Sequence, residues 1–203
     1  MGYYPAHMPL EPTPNPAVHR TVLSRQRRTE SLVLGGSARP RSASTMKVTR
    51  DVEVPTWNAE AATAGVDYLR RRGFSNAQLL ADLLVIGNRG SLWGNLTSFD
   101  MTKLRAVIRL SSNRKNHVFA ELLVDTFAQQ ITEWNLATWR LEMAELHRVV
   151  CGVGHLEGVW DRFQQDSGAA GRAWTKTLGR EGAALPEEWE TEIRHLEEWR
   201  PET

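Results

Sequence analysis

Residues 117–153 read HVFAELLVDTFAQQITEWNLATWRLEMAELHRVVCGV, and this stretch decides the predicted fold. It contains no proline, and its apolar side chains recur at spacings of three and four, the period of one helical face. A second apolar stripe, rotated from the first, begins at Trp139. The stretch therefore predicts one continuous helix about 55 Å long. The first stripe is Phe119, Leu122, Leu123, Phe127, Ile131, Trp134, Ala137 and Leu141, and the second is Trp139, Met143, Leu146, Val150 and Val153.

Other segments after residue 55 also carry helical signals. Asn58 is a suitable N-cap for a helix that runs through Arg72, with Gly73 as its stop. Shorter helices are predicted at 79–86 and 100–110, and Pro186 opens a last acidic helix. We find no convincing strand pattern in this part of the chain. The prediction is an all-α protein, a helical bundle of about six to seven helices with one long central helix, preceded by an extended basic N-terminal arm.

Composition changes abruptly near residue 55. Seven of the nine prolines lie in residues 1–55, and all eight tryptophans lie after them. Residues 1–50 have a net charge of +6, whereas residues 181–203 have a net charge of −6. A Pro/Arg/Ser-rich arm buries too little apolar surface to offset its ordering entropy, so we expect a partner to order it. The predicted organisation is an arm at 1–55, a helical core domain at 56–180 and an acidic C-terminal helix or tail at 181–203.

The arm and the tryptophans outside the predicted core are candidates for binding a partner. A short apolar run before Gly35 is suited to docking as an extended segment in a partner's groove. Tryptophan is enriched where a protein surface meets another protein. The candidate partner-binding residues are Arg20, Arg25, Arg27, Arg28, Leu32, Val33, Leu34, Trp93, Trp189 and Trp199.

A second group of basic residues suggests phosphate binding. Arg105 and Arg109 would lie one turn apart on the predicted 100–110 helix. Arg114 and Lys115 would lie just before the long helix, whose N-terminus carries partial positive charge. Several cations at a helix start form the usual setting for a phosphate group. The sequence therefore predicts that these four residues contact the backbone of RNA or DNA.

No motif for a cofactor or a catalytic nucleophile is present. His147, Cys151 and His155 are spaced four apart, but glycines interrupt the span and a fourth ligand is missing, so we predict neither a metal nor a cofactor. A single cysteine excludes an intrachain disulfide, and we expect an intracellular, reducing compartment. No apolar run is long enough to predict a membrane span.

These features favour a non-enzymatic structural subunit of a larger complex, either self-assembling or built with other proteins. Its arm would dock on neighbouring subunits. One alternative is a coat or nucleocapsid-like protein that polymerises on RNA or DNA through phosphate contacts. Another is a small enzyme or metal-binding helical protein with its site around His147, Cys151 and His155.

Overall fold

The computed structural model describes residues 22–28, 43–91, 104–114, 116–126, 131–176 and 184–201, and it shows a mixed α/β protein. The all-α bundle prediction is therefore wrong. The described elements are β1 (Val22–Arg28), β2 (Ala43–Glu53), α1 (Ala59–Arg71), β3 (Gln78–Leu79), a 3₁₀ turn (Ala81–Leu83), β4 (Val85–Arg89), β5 (Ala106–Arg114), β6 (His117–Asp125), α2 (Glu133–Val150), α3 (Glu157–Lys176) and α4 (Glu187–Glu198).

The strands form one antiparallel sheet in the order β1-β2-β6-β5-β4-β3. In its central strands, Leu122 of β6 pairs with Val48 of β2 on one side and with Ile108 of β5 on the other. All three side chains are buried, because α1 and α2 pack on this face. The helices therefore cover one face of the sheet, and α2 contributes side chains both to the core against the sheet and to a second cluster with α3 and α4.

The predicted long helix is in fact strand β6 followed by helix α2. Burial alternates along β6, as the pleat of a half-covered strand requires. Phe119 and Leu123 also place apolar groups on the opposite face, so the period of two is masked and spacings of three and four arise by coincidence. The buried side chains of β6 are Val118, Ala120, Leu122 and Val124.

Helix α2 begins at a capping box that the sequence prediction missed. The Thr132 side chain accepts from the Asn135 backbone N–H, and the Asn135 side chain accepts from the Thr132 N–H. The rotation between the two predicted stripes is real within this helix, because α2 is buried on two sides. Trp139 belongs to the core against the sheet, whereas Trp134 and Leu141 pack with α3 and α4.

Two of the predicted helices are confirmed. Helix α1 begins after Asn58, whose side chain accepts from Ala61 N–H, and ends before Gly73, which has a φ of +84°. Helix α4 begins directly after Pro186. The predicted helices at 79–86 and 100–110 are wrong, because these segments contain β3, β4 and the first half of β5.

Part of the predicted arm belongs to the sheet. Residues 43–53 form β2, an interior strand between β1 and β6, and Val48 and Val52 on it are buried. Residues 22–28 form β1 at the sheet edge. The division of the chain at residue 55 stays a prediction, but β2 shows that ordering of residues 43–53 arises from pairing within the same chain.

Candidate protein interface

The face of the sheet that points away from α1 and α2 is a candidate binding surface, and we call it the open face. Val107 on β5 is 42 % exposed, and its neighbour across the ladder, Leu123, is half-buried. Half-buried Ile86 and Phe119 lie on the same face, but the Arg109–Glu121 pair separates Phe119 from Val107 and Leu123. Among the described side chains, the open face comprises Thr45, Lys47, Thr49, Asp51, Glu53, Ile86, Asn88, Arg105, Val107, Arg109, Ser111, His117, Phe119, Glu121, Leu123 and Asp125.

Charges of both signs surround these apolar residues. Arg109 lies directly opposite Glu121 in the β5–β6 ladder, and Lys47 forms an ion pair with the same Glu121. His117 Nδ1 lies 3.7 Å from Asp51 Oδ1. Among the described side chains, three permanent cations therefore face four carboxylates, which makes the open face mixed in charge with a small negative excess. These charged side chains are Lys47, Arg105, Arg109, Asp51, Glu53, Glu121 and Asp125.

The structure removes the helical argument for the predicted phosphate site. Arg109 and Arg114 lie on strand β5 and Arg105 directly precedes it, so no helix start lies among them. Arg105 and Arg109 are exposed, and they share the parity that faces away from the helices. Asn116 forms the β5–β6 turn with a φ of +65° and does not cap a helix. Lys115 lies outside the described residues, and phosphate contact by these four residues stays a prediction.

The predicted partner-binding residues fall into three groups. Arg25, Arg27 and Arg28 lie on edge strand β1. Trp189 is 5 % exposed and packs in the core between α2, α3 and α4, while Trp199 is half-buried at the end of α4. Their binding role stays untested. Arg20, Leu32, Val33, Leu34 and Trp93 lie outside the described residues.

Arg89 and Glu142 form a buried ion pair between the sheet and α2. Arg89 Nη1 and Nη2 donate to the two Glu142 carboxylate oxygens at 2.5 and 2.8 Å, and each residue is 4 % exposed. Arg72, directly after α1, approaches the same carboxylate at 3.6 Å. Bidentate charge-assisted hydrogen bonds are strong and directional. The pair therefore fixes the position of α2 against β4 and the end of α1.

Glu145 and Tyr68 extend this buried polar cluster. Glu145 accepts hydrogen bonds from Leu156 N–H at 2.9 Å and from Trp160 Nε1 at 2.6 Å, which fixes the start of α3 on α2. The Tyr68 hydroxyl donates to the Glu142 carbonyl at 3.0 Å. Burial raises the pKa of Tyr68 well above its ordinary value, so its phenol remains a hydrogen-bond donor at neutral pH.

The three residues of the alternative metal site have separate partners. His147 Nε2 lies 2.9 Å from the Glu53 carbonyl oxygen, while the His155 ring stacks on Tyr68 with 6.0 Å between centroids. Burial raises the pKa of the Cys151 thiol to about 11. Among the described residues, no group of three or more His, Cys, Asp or Glu side chains is arranged to hold a metal ion.

Arg50 on β2 is a second buried arginine, and its environment differs. It is 3 % exposed, and its Nη2 donates to the Glu197 backbone carbonyl at 2.5 Å. Its Nε and Nη1 have no hydrogen-bond partner among the described residues. Burial lowers the pKa of Arg50 to about 10, although Glu197 opposes this shift. The guanidinium therefore remains charged at neutral pH without a carboxylate bound to it.

Sequence reasoning missed these buried charges, although one signal was present. In β2, Arg50 lies two residues from both Val48 and Val52, so it occupies the apolar parity of an alternating strand. Arg89 likewise occupies an inward-facing position in β4, two residues after buried Gly87. A charge at an inward position of a strand indicates a buried partner or a special role, but this signal appears only once the segment is assigned as a strand.

No protein-family model, curated protein or solved structure matches this chain. Among the described helices, none has the length and hydropathy that a membrane crossing requires. The surfaces and buried contacts of the molecule itself are therefore the basis for assigning a function.

Proposed function

We propose that this protein is a non-enzymatic structural subunit that assembles with further copies of itself through the open face, and that the part of its basic N-terminal arm outside β1 and β2 docks on a neighbour. The observation that carries this proposal is the exposed Val107, with half-buried Leu123 beside it and half-buried Ile86 and Phe119 elsewhere on the same face, on a sheet that α1 and α2 cover on one side. Two sheets can pack face to face at a distance of about 10 Å, with apolar side chains at the centre.

The charge pattern favours a second copy over a polyanion. Glu121 and Arg109 lie side by side, so a two-fold arrangement places the arginine of one copy opposite the glutamate of the other. Among the described side chains of this face, nucleic acid would instead meet four carboxylates and three permanent cations, and neutralising phosphates requires an excess of Lys and Arg. The opposite net charges of 1–50 and 181–203 favour further contacts between copies.

The interior supports a structural role. The buried ionisable groups of α2 are engaged with Arg89, Trp160 and backbone groups that join one element to another. A cavity beneath α2 has a volume of about 10 Å³, roughly the space for one water molecule, and it is too small for a substrate. Its lining residues are Arg50, Val52, Leu110, Val118, Ala120, Met143, Leu146, His147 and Val150.

Light scattering coupled to size-exclusion chromatography tests the proposal. We expect the full chain to form concentration-dependent dimers or larger species, and Val107→Asp to shift them to monomer with an unchanged thermal melting temperature. Val153→Asp is the matched control, because Val153 is 47 % exposed outside the open face. A wild-type monomer at every concentration, or equal effects of the two variants, would contradict the proposal. The absorbance ratio at 260 and 280 nm of the same peak tests for bound nucleic acid.

A further inference from the structure

The groove that holds α4 combines an apolar floor with charged side chains. Trp189 and Ile193, four residues apart on α4, insert into an apolar floor that includes Trp134, Leu141 and Phe163. The Phe163 and Trp189 rings meet edge to face, with 5.1 Å between centroids. This arrangement of anchors on one helical face is the helix-in-groove mode of recognition. We call the residues that receive α4 the α4 seat: Arg50, Glu133, Trp134, Arg140, Leu141, Arg162, Phe163 and Asp166.

Arginines of the seat bind the carboxylates of α4. Arg140 Nη1 donates to Glu190 at 2.6 Å, while its Nε and Nη2 donate to the two oxygens of Glu197 at 3.1 and 2.7 Å. Arg162 Nη2 donates to Glu192 at 2.6 Å. Burial by itself lowers the pKa of Arg140, but its hydrogen bonds to Glu197 and Glu190 outweigh this effect and raise it. The seat therefore selects a helix with acids at three defined positions.

The seat also distinguishes the direction of the helix. At the start of α4, Glu133 accepts from Leu185 N–H at 2.7 Å and Asp166 accepts from Trp189 Nε1 at 2.9 Å. At its end, Arg50 donates to the Glu197 carbonyl. Carboxylates at a helix start and cations at a helix end complement the helix dipole. A helix inserted in the reverse direction would meet the wrong charge at both ends.

We propose that the α4 seat is a receptor for an acidic amphipathic helix supplied in trans, and that α4 of a second copy can replace the chain's own. The chain's α4 fits this chemistry, since it has six glutamates and one arginine. This site is separate from the open face, so it does not depend on the self-assembly proposed above.

The test measures binding of a fluorescent peptide with the sequence of residues 184–201 to the full chain by anisotropy. In the full-chain variant Glu190→Gln/Glu197→Gln, the resident α4 is a weaker competitor. We therefore expect the native peptide to bind this variant about tenfold more tightly than it binds wild type. Arg140→Gln, added to that variant, should weaken the binding by about tenfold, because it removes the donor to both carboxylates.

The matched control is a peptide that carries Glu190→Gln and Glu197→Gln, and we expect it to bind about tenfold less tightly than the native peptide. Circular dichroism verifies that each full-chain variant is folded, and Glu190→Gln alone is the milder substitute if the double variant is not. Absence of binding to the folded variant, or equal binding of the two peptides, would overturn the proposal. Val107→Asp should leave peptide binding unchanged, so failure here is distinct from failure of the open-face contact.

Discussion

Arg89 and Arg50 are both buried below 5 % exposure on the helix-facing side of the same sheet, yet their surroundings differ in one respect. Arg89 donates through both terminal nitrogens to the carboxylate of Glu142, whereas Arg50 donates to a neutral carbonyl at the end of α4. Removing a charge from water is costly, and a counter-ion with good geometry recovers that cost. Burial alone therefore does not make an arginine stabilising. We expect Arg89 to hold the core together and Arg50 to position α4.

The largest expected effect is from Glu142→Leu, which leaves Arg89 buried without its counter-ion. We expect the free energy of unfolding to fall by about 3–5 kcal/mol, as for other buried pairs from which one partner is removed. Urea denaturation followed by tryptophan fluorescence measures this. Glu198→Leu, at an exposed position on α4, is the control and should change stability by less than about 0.5 kcal/mol. A loss of unfolding free energy equal to that of the control would show that the Arg89–Glu142 pair contributes little to stability.

The double variant Arg89→Met/Glu142→Leu tests whether Arg89 and Glu142 stabilise the protein as a pair. It removes both charges and fills the site with apolar atoms, so we expect it to be more stable than Glu142→Leu alone by about 2 kcal/mol or more. Arg89→Met alone completes the double-mutant cycle under the same denaturation conditions. Additive losses in the two single variants would mean that Arg89 and Glu142 act independently, contrary to their geometry.

Arg50→Met should have a much smaller effect on stability than Glu142→Leu. It removes the hydrogen bond to the Glu197 carbonyl and the 3.5 Å contact with His147 Nδ1, but it also removes a buried cation with two nitrogens that have no partner among the described residues. We therefore expect the free energy of unfolding to stay within about 1 kcal/mol of wild type, with either sign. The same variant should loosen the end of α4, which faster amide hydrogen exchange at residues 195–199 would reveal. A loss as large as that of Glu142→Leu would erase the distinction between the two arginines.

The smallest expected effect concerns the chemical reactivity of Cys151. Its Sγ lies 4.0 Å from the Glu53 carbonyl oxygen, which His147 also contacts, so the thiol reports on the packing near Arg50. Burial raises the pKa of this thiol to about 11, and only the thiolate reacts. Alkylation by iodoacetamide should therefore be slow at pH 8 and rise about tenfold per pH unit up to pH 10. A rate that levels off near pH 9 would show an unshifted thiol. If the alkylation rate of Cys151 has the same pH dependence in Arg50→Met, the region around Cys151 stays packed in that variant.

The sequence predicted the elements whose signals are local. Asn58 and Gly73 delimit α1, and Pro186 opens α4, because caps and stops depend on a few adjacent residues. The same local signals could not reveal the sheet. In β6, apolar residues on both faces fit helical spacing as well as strand alternation, and the pairing partner that decides between them, β2, lies about seventy residues earlier in the chain.

The candidate surfaces were predictable only in part. The exposed positions of Arg105 and Arg109 agree with their selection as surface cations, but the helix start that was to complete a phosphate site is absent from their strand and turn. Trp189, one of the candidate partner-binding residues, lies at the centre of the contact between α4 and its seat, and its role in binding another protein stays a prediction. The pairs Arg89–Glu142 and Arg140–Glu197 could not be foreseen, because each joins elements whose proximity is a product of the fold.

The position of β2 in the interior of the sheet has a consequence for how the chain is made. Val48 pairs with Leu122, so β2 leaves the ribosome well before β6 exists to receive it. Until then its inward apolar residues and open backbone groups face the solvent, a state prone to aggregation. Native pairing between such distant segments also slows folding. We therefore expect nascent chains that end before residue 117 to remain non-native and to recruit chaperones, and the sheet to close only after most of the polypeptide has been synthesised.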